Sequence, residues 1–499
     1  MSYTVVNKLR RFYLQLQYKN GGHFMDIITI FQVLLRWGVF ALIGGLLLAL
    51  TIFAVYMIYK KAFHGQRSMS KTQGIILFFL SCWLLLVLAL TTLSRGANFT
   101  GSFNIDFFSA YVNAWNKWSI SELQLIIFNM LMFTPLGFLL PLFWKKAEKF
   151  KVILFMSIGL TVCIEIVQLL TGTGIFELDD LFHNCIGSLF GYFCIMAVLS
   201  IIRGKRVRFV PIGKVFIFPC VIGIIIGAVS FAYEQKPYGN MPILSAVKQD
   251  MSKIQITTDL SLADQPAMAS IYKNTYTEDE NYIERIIAKL TGLEDVTFSG
   301  IQRREGENRV YTGKSSNSED VQLSFFFRTG HWRYTTWHDA AKLTEETAKK
   351  YRDFYKNWLK ESGLLPAAAV SSIQNNDTLR WDASEENDLS IAKTAFTSGS
   401  ILMQFDSNLE LASMHYGISW NEYVATEEII SPKAAFKQVE DGNFEQYVPF
   451  HQGDTLWVKK YNLAYVYDTK GFYQPVYQFT GYINNEDNSW DCQIPALAK

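Results

Sequence analysis

At 499 residues the chain is longer than a single domain. Its formal net charge of +1 hides an asymmetry: residues 1–234 hold 20 Lys+Arg against 9 Asp+Glu, and residues 235–499 hold 26 against 36. The first half reads as an apolar, basic-flanked membrane unit and the second as a soluble, mildly acidic one; no basic, aromatic-laced patch points to nucleic acid.

Residues 1–26 are polar with scattered aromatics and read as an interfacial segment. Apolar runs follow at about 37–59, 73–93, 123–144, 150–171, 181–202 and 213–233, each close to the ~20 residues that cross a bilayer. The first run is long, lacks a small-residue cleavage site and is followed by further spans, so it does not read as a cleavable signal. Lys60, Lys61, Arg67 and Lys71 follow the first run, Lys145, Lys146, Lys149 and Lys151 the third, and Arg203, Lys205, Arg206, Arg208 and Lys214 the fifth. The positive-inside rule puts these three loops in the cytoplasm. Residues 94–122, the turn 172–180 and the second half then lie outside, as does the basic N-terminus, one loop against three. Five of the six cysteines lie in apolar runs, so the second half, with Cys492 alone, needs an ordinary core rather than disulfides.

The stretch Glu165–Tyr192 is apolar enough for lipid yet carries Glu165, Gln168, Glu177, Asp179, Asp180, His183 and Asn184. Ionisable groups at membrane depth are costly and normally face a protein interior or a wet cavity. Three motifs stand in order. Asn129 precedes Phe133-x-Pro135-x-Gly137, Glu165-x-x-Gln168 ends the next span, and Asp179-Asp180 leads into Asn184-x-x-Gly187-x-x-x-Gly191. In this order and spacing, residues 73–202 resemble the VanZ-like family of bacterial membrane proteins. One departure is Thr173, in Gly172-Thr173-Gly174, where the family often carries Arg. The resemblance implies a cell-envelope role associated with reduced susceptibility to glycopeptide-type antibiotics, without supplying a mechanism.

Depth supports a shared site. Asn129 lies seven residues from Glu122 and Glu165 seven from Gly172, about 10 Å at the helical rise, and Asn184 is about 6 Å below Asp180. Glu165 and Gln168 share a helix face, and Pro135 frees a carbonyl and bends its helix. The candidate pocket is therefore Asn129, Phe133, Pro135, Glu165, Gln168, Asp179, Asp180 and Asn184, with the aromatic loop 94–122 as a cover. Simpler roles compete: interhelical hydrogen bonding for Asn129 and Gln168, N-capping for Asp179 and Asp180, and packing for His183. Gly187-x-x-x-Gly191 and Gly223-x-x-x-Gly227 read as close helix-packing surfaces. Glu165 is the residue that packing explains least. No metal site or cofactor is assigned.

Beyond residue 234 the pattern changes to an α+β region. Residues 235–280 read as a linker and 281–499 as two subdomains. Helices are expected at Thr344–Glu361 and Ser431–Asp441, and strands near 308–314, 321–328, 396–405, 409–418, 456–467 and 472–483. The helix at Ser431 with the aromatic hairpin after it resembles exported PepSY or YycI-type modules. His331, His338, His415 and His451 are too dispersed for a metal motif, and no nucleophile context stands out.

The sequence thus reads as an all-α helical membrane bundle of about six transmembrane helices (27–234) followed by an extracytoplasmic α+β region. The leading expectation is that the cluster binds an amphiphile: a membrane lipid, a lipid-linked cell-wall precursor or a lipophilic antibiotic. Two alternatives stand beside it. One is an enzyme on lipid-linked substrates using Glu165 and Asp180; the other is a signalling or scaffold protein whose residues 281–499 contact an envelope partner.

Overall fold

The computed structural model describes residues 27–64, 66, 68–93, 103–204, 209–305, 308–316, 318–383, 389–446 and 450–498; the expected interfacial segment 1–26 lies outside them. Two compact units result: Ile27–Ala114 with Ser119–Lys236, and Pro237–Lys499 with Trp115–Trp118.

The first unit is helical because lipid offers no partner for backbone polar groups, so each apolar run must bond within itself. Its helices are α1 (Ile27–Ala62), α2 (Lys71–Leu88), the short α3 (Ser109–Lys117), α4 (Ile120–Phe143), α5 (Phe150–Thr171), α6 (Leu178–Gly204) and α7 (Phe209–Glu234). Six are long and apolar enough to span a membrane, and they match the expected spans to within about a turn. Ser70 caps α2 through a capping box with Gln73, and Ser119 caps α4. Large apolar side chains such as Leu170, Phe155 and Ile224 face outward, the arrangement lipid favours.

The tightest contact is α4 against α6, and three glycines make it possible. A Cβ on Gly187 would stand 1.6 Å from the Met130 carbonyl oxygen, on Gly137 1.7 Å from that of Ser188, and on Gly191 2.0 Å from that of Thr134. The expected surface at Gly223 and Gly227 is not one of these: nothing lies within 4 Å of a Cβ at either position. Both sit on α7, which has none of its spanning window buried in this chain.

The second unit has two sheets. The larger runs Thr297–Glu305, Asn308–Lys314, Asp320–Phe326, His331–Thr335, Leu411–Tyr416, Ser400–Phe405, Thr378–Asp382 and Val370–Gln374 in spatial order, antiparallel throughout. Helices α8 (Glu280–Glu294) and α9 (Glu345–Glu361) share a core with it. Asp279 and Thr344 cap them, and α8 contributes Tyr282, Ile283, Ile286 and Leu290 from one helical face. The smaller sheet runs Phe396–Ser398, Ser419–Ile429, Ala267–Asn274, Phe472–Ile483, Thr455–Tyr467 and Gln255–Thr258, with Ser489–Pro495 also on Phe472–Ile483. It shares its core with α10 (Pro432–Glu440).

Two expectations change here. The run 396–405 is two strands in two sheets, divided at Gly399. There φ is +96° and a Cβ would meet the Gly417 carbonyl oxygen at 2.0 Å, so only glycine suits the crossover. The supposed linker 235–280 is ordered structure. Ala267–Asn274 lies inside the smaller sheet with Tyr272 fully buried, and Gly239 donates its amide to Asp468 Oδ2 at 2.6 Å. Asn240 and Thr469 exchange two further bonds.

A buried acid sets one pH dependence. Burial pushes the Glu294 carboxyl up to about 7, although the Tyr355 hydroxyl donates to it at 3.3 Å; Glu410 adds repulsion. Folding therefore favours its proton, so its contribution is full below the ordinary value of 4.5 and is lost as pH rises through about 7. Tryptophan-fluorescence melting between about pH 5 and about pH 8 should show the wild type losing more stability over that interval than Glu294→Gln.

Candidate polar site at the ends of α4, α5 and α6

The segment leading into α6 is the hub. Phe103–Asn104 pairs in parallel with Phe176–Glu177, bringing the loop before α3 onto the turn after α5. Asp179 then fixes the loop. Its Oδ1 accepts from the Phe108 amide at 2.6 Å, and its Oδ2 accepts from the Ala110 amide at 2.8 Å and the Ser109 hydroxyl at 3.2 Å. These donors belong to the start of α3, so a carboxylate expected to cap its own helix caps a neighbour instead. Phe182 meets Phe107 and Phe108 edge to face, and Phe103 lies against Phe176. The aromatic loop expected as a cover is thus held by one carboxylate and three aromatic contacts. Asp179→Ala should leave the six helices in place yet raise hydrogen–deuterium exchange across 103–117; unchanged exchange there would show that the rings suffice.

Behind the cover, Asn129 Nδ2 donates to Asp180 Oδ1 at 2.6 Å, joining α4 to α6. His183 lies one turn on, 1% exposed, with Nδ1 3.9 Å from Asp180 Oδ1 and Nε2 3.0 Å from the Tyr111 hydroxyl. Burial, reinforced by Asp179, pushes the Tyr111 phenol up to about 12, so it remains a donor. Glu165, 3% exposed on α5, accepts from the Glu177 amide at 3.3 Å. Asn184 is 4% exposed, and its Oδ1 has no hydrogen-bond partner among the described residues.

Not every expected member reaches the site. Gln168 donates to the Thr91 carbonyl at 2.8 Å and ties α5 to the π-helical turn Ala89–Leu93, the structural role weighed for it. Phe133 is fully buried in the helical core, edge-on to Trp83 at 5.6 Å, so it packs rather than lines a mouth. Pro135 lies within α4. Around it, Trp83 donates to the Met132 carbonyl at 2.7 Å, Thr134 to that of Met130 at 3.4 Å and Ser188 to that of Phe133 at 3.4 Å. The sequence reading missed Tyr111 and gave His183 to packing. Tyr111 carried no separate signal, but His183 stands three residues after Asp180 and four after Asp179, on the helix face they share. Among the described residues no three His, Cys, Asp or Glu side chains gather in a metal-holding group.

What these residues offer is acceptors: the carboxylates of Glu165 and Asp180, and the amide oxygen of Asn184, which has no hydrogen-bond partner among the described residues. That chemistry suits a group that donates hydrogen bonds.

Comparison with known proteins bears on the same residues. The family described as VanZ/LLP1 matches residues 46–200, a range that contains α2 to α5 and most of α6. No curated protein matches. Among solved structures, an uncharacterized protein from Eubacterium rectale is 12% identical, with a TM-score of 0.24, and the match covers 50% of this chain and 88% of that one. The C-terminal domain of Bacillus megaterium YpeB is 10% identical, with a TM-score of 0.20, over 44% of this chain and 98% of that one. Residues 46–200 are therefore a VanZ-like domain, set within a six-span membrane protein that continues into an α+β region.

Proposed function

We propose that this VanZ-type protein acts in the bacterial cell envelope by holding the polar head of an amphiphile against Glu165, Asp180 and Asn184, its tail between apolar helices. The candidates are an envelope lipid, a lipid-linked cell-wall precursor and a lipophilic glycopeptide-type antibiotic, and the consequence is reduced susceptibility to such antibiotics. The observation that carries this reading is Asn184. Its carbonyl oxygen is buried and without a partner among the described residues, whereas the amides of Asn129 and Gln168 bond across helices. With the three basic loops on the cytoplasmic side, the cluster and its aromatic cover lie at the outer leaflet and the α+β region outside the cell. The acceptor-rich lining favours amine, amide or hydroxyl donors on the ligand head.

The test is antibiotic susceptibility of cells carrying the wild type, Glu165→Gln or Asn184→Ala at equal membrane abundance. Each substitution is expected to return cells to the unprotected level. Protection equal to wild type in both variants would remove the site. A chain ending at residue 239 should keep its protection; if it does not, the exported region acts through a partner instead.

A further inference from the structure

The seam between α5 and α6 carries more polar groups than helix packing requires. On α5, Glu165, Thr161 and Ser157 follow at four-residue intervals and share one face; on α6, Asn184, Ser188 and Tyr192 do the same. None is more than 8% exposed. The two rows meet where Ser157 Oγ lies 2.9 Å from Ser188 Oγ and donates to the Asn184 carbonyl at 3.3 Å. Beyond Ser188 the next residue on the face is Tyr192, whose hydroxyl donates to the Glu148 carbonyl at 2.8 Å, at the Lys145–Glu148 end of the bundle. Each row covers about 12 Å of the ~30 Å hydrocarbon depth, so polar groups follow one another through much of it.

Two buried atoms on this line lack partners among the described residues: Thr161 Oγ1 and Asn184 Oδ1. The threonine is telling. Thr51, Thr91, Thr134 and Thr171, all on membrane helices, bond the carbonyl four residues back on their own helix. That bond satisfies a hydroxyl in lipid at little cost, yet Thr161, like Thr92 at the end of the second span, does not make it. A fully buried hydroxyl left open on a seam that also leaves an amide oxygen open fits water, which bridges such groups and is costly to remove.

We propose that the α5–α6 seam holds a file of water molecules through which the Glu165 carboxyl exchanges its proton with the Tyr192–Glu148 end of the bundle. A hydronium in the file gives its proton to a carboxylate oxygen of Glu165, forming the O–H bond and leaving water; the reverse step returns it, so nothing else is consumed. Thr161, Ser157 and Ser188 hold the waters in line and are positioning residues. Among the charged and imidazole groups on the elements packed around Glu165, Glu122, Glu177, Asp179, Asp180 and His183 lie toward the opposite end from Tyr192, and Lys145, Lys146, Glu148, Lys149, Lys151 and Arg203 lie at the Tyr192 end. This shares Glu165 with the ligand reading but does not depend on a ligand.

The test is infrared spectroscopy of the full chain in liposomes, following the carboxyl C=O band that disappears in Glu165→Gln and its shift after transfer to deuterated buffer. Wild type and Thr161→Ser should exchange rapidly. Thr161→Val and Ser188→Ala should exchange about tenfold more slowly, the effect of one lost hydrogen bond on a barrier. Equal rates in all four proteins would overturn the proposal, as would a slowing in Thr161→Ser equal to that in Thr161→Val, which marks disturbed packing. A spectrum with no band assignable to Glu165 between about pH 4 and about pH 9 would also overturn it. Should Thr161→Val fail to fold, Ser157→Ala takes its place with the same expected slowing. A wild-type protein that exchanges rapidly yet carries no specific amphiphile counts against the ligand reading alone.

Discussion

Gly187→Ala is expected to leave little folded protein in detergent. The new methyl would be placed 1.6 Å from a backbone oxygen of α4, and no side chain can swing aside to admit it. The helices must part, and the crossing that separates also carries the Gly137 and Gly191 contacts. Ordinary overpacking costs about 1–3 kcal/mol where neighbours can shift. Here backbone meets backbone at three points, so a loss of about 4 kcal/mol or more is expected. Gly223→Ala is the matched control: nothing lies within 4 Å of its Cβ, and its effect should fall within about ±0.5 kcal/mol. Thermal unfolding followed by fluorescence-detected size exclusion compares the two directly. A Gly187→Ala protein that melts like the Gly223→Ala protein would mean that α4 and α6 do not cross at these glycines.

That contrast also shows how much the sequence could say. The same G-x-x-x-G spacing occurs at Gly187–Gly191 and at Gly223–Gly227, but among the described residues only the first meets a partner helix, because spacing specifies a surface and not what covers it. The spans themselves were legible, since lipid imposes a length and forbids charge. Glu165 was legible for the same reason: a lone carboxylate in an apolar helix has no packing purpose. Asp179 was placed in the candidate pocket, with capping of its own helix as the competing role, whereas the amides it takes lie about 70 residues earlier in the chain; such pairing depends on the fold. Helix α8 was within reach, with Asp279 as its cap and Tyr282, Ile283, Ile286 and Leu290 on one face. The break at Gly399 was not, because β-branched and aromatic residues flank it on both sides and the run looks like one strand. Residues 235–280 look extended and polar, yet they enter a sheet whose other strands arrive some 150–200 residues later.

The binding reading concentrates on one carboxylate. Replacing Glu165 by Gln keeps its size and one acceptor and removes its charge and one acceptor oxygen. Glu177 loses a charged partner and the cluster loses affinity for a donating head group, while the glycine crossing and the Asp179 latch stay intact. A charged hydrogen bond is worth about 1.5–3 kcal/mol, or about ten- to a hundredfold in occupancy. The direct measurement is mass spectrometry of lipids co-purifying with the full-length protein in mild detergent, wild type against Glu165→Gln. A specific amphiphile enriched on the wild type and depleted at least about tenfold on the variant is the expected result; the same bound lipids in the same amounts on both proteins would contradict it.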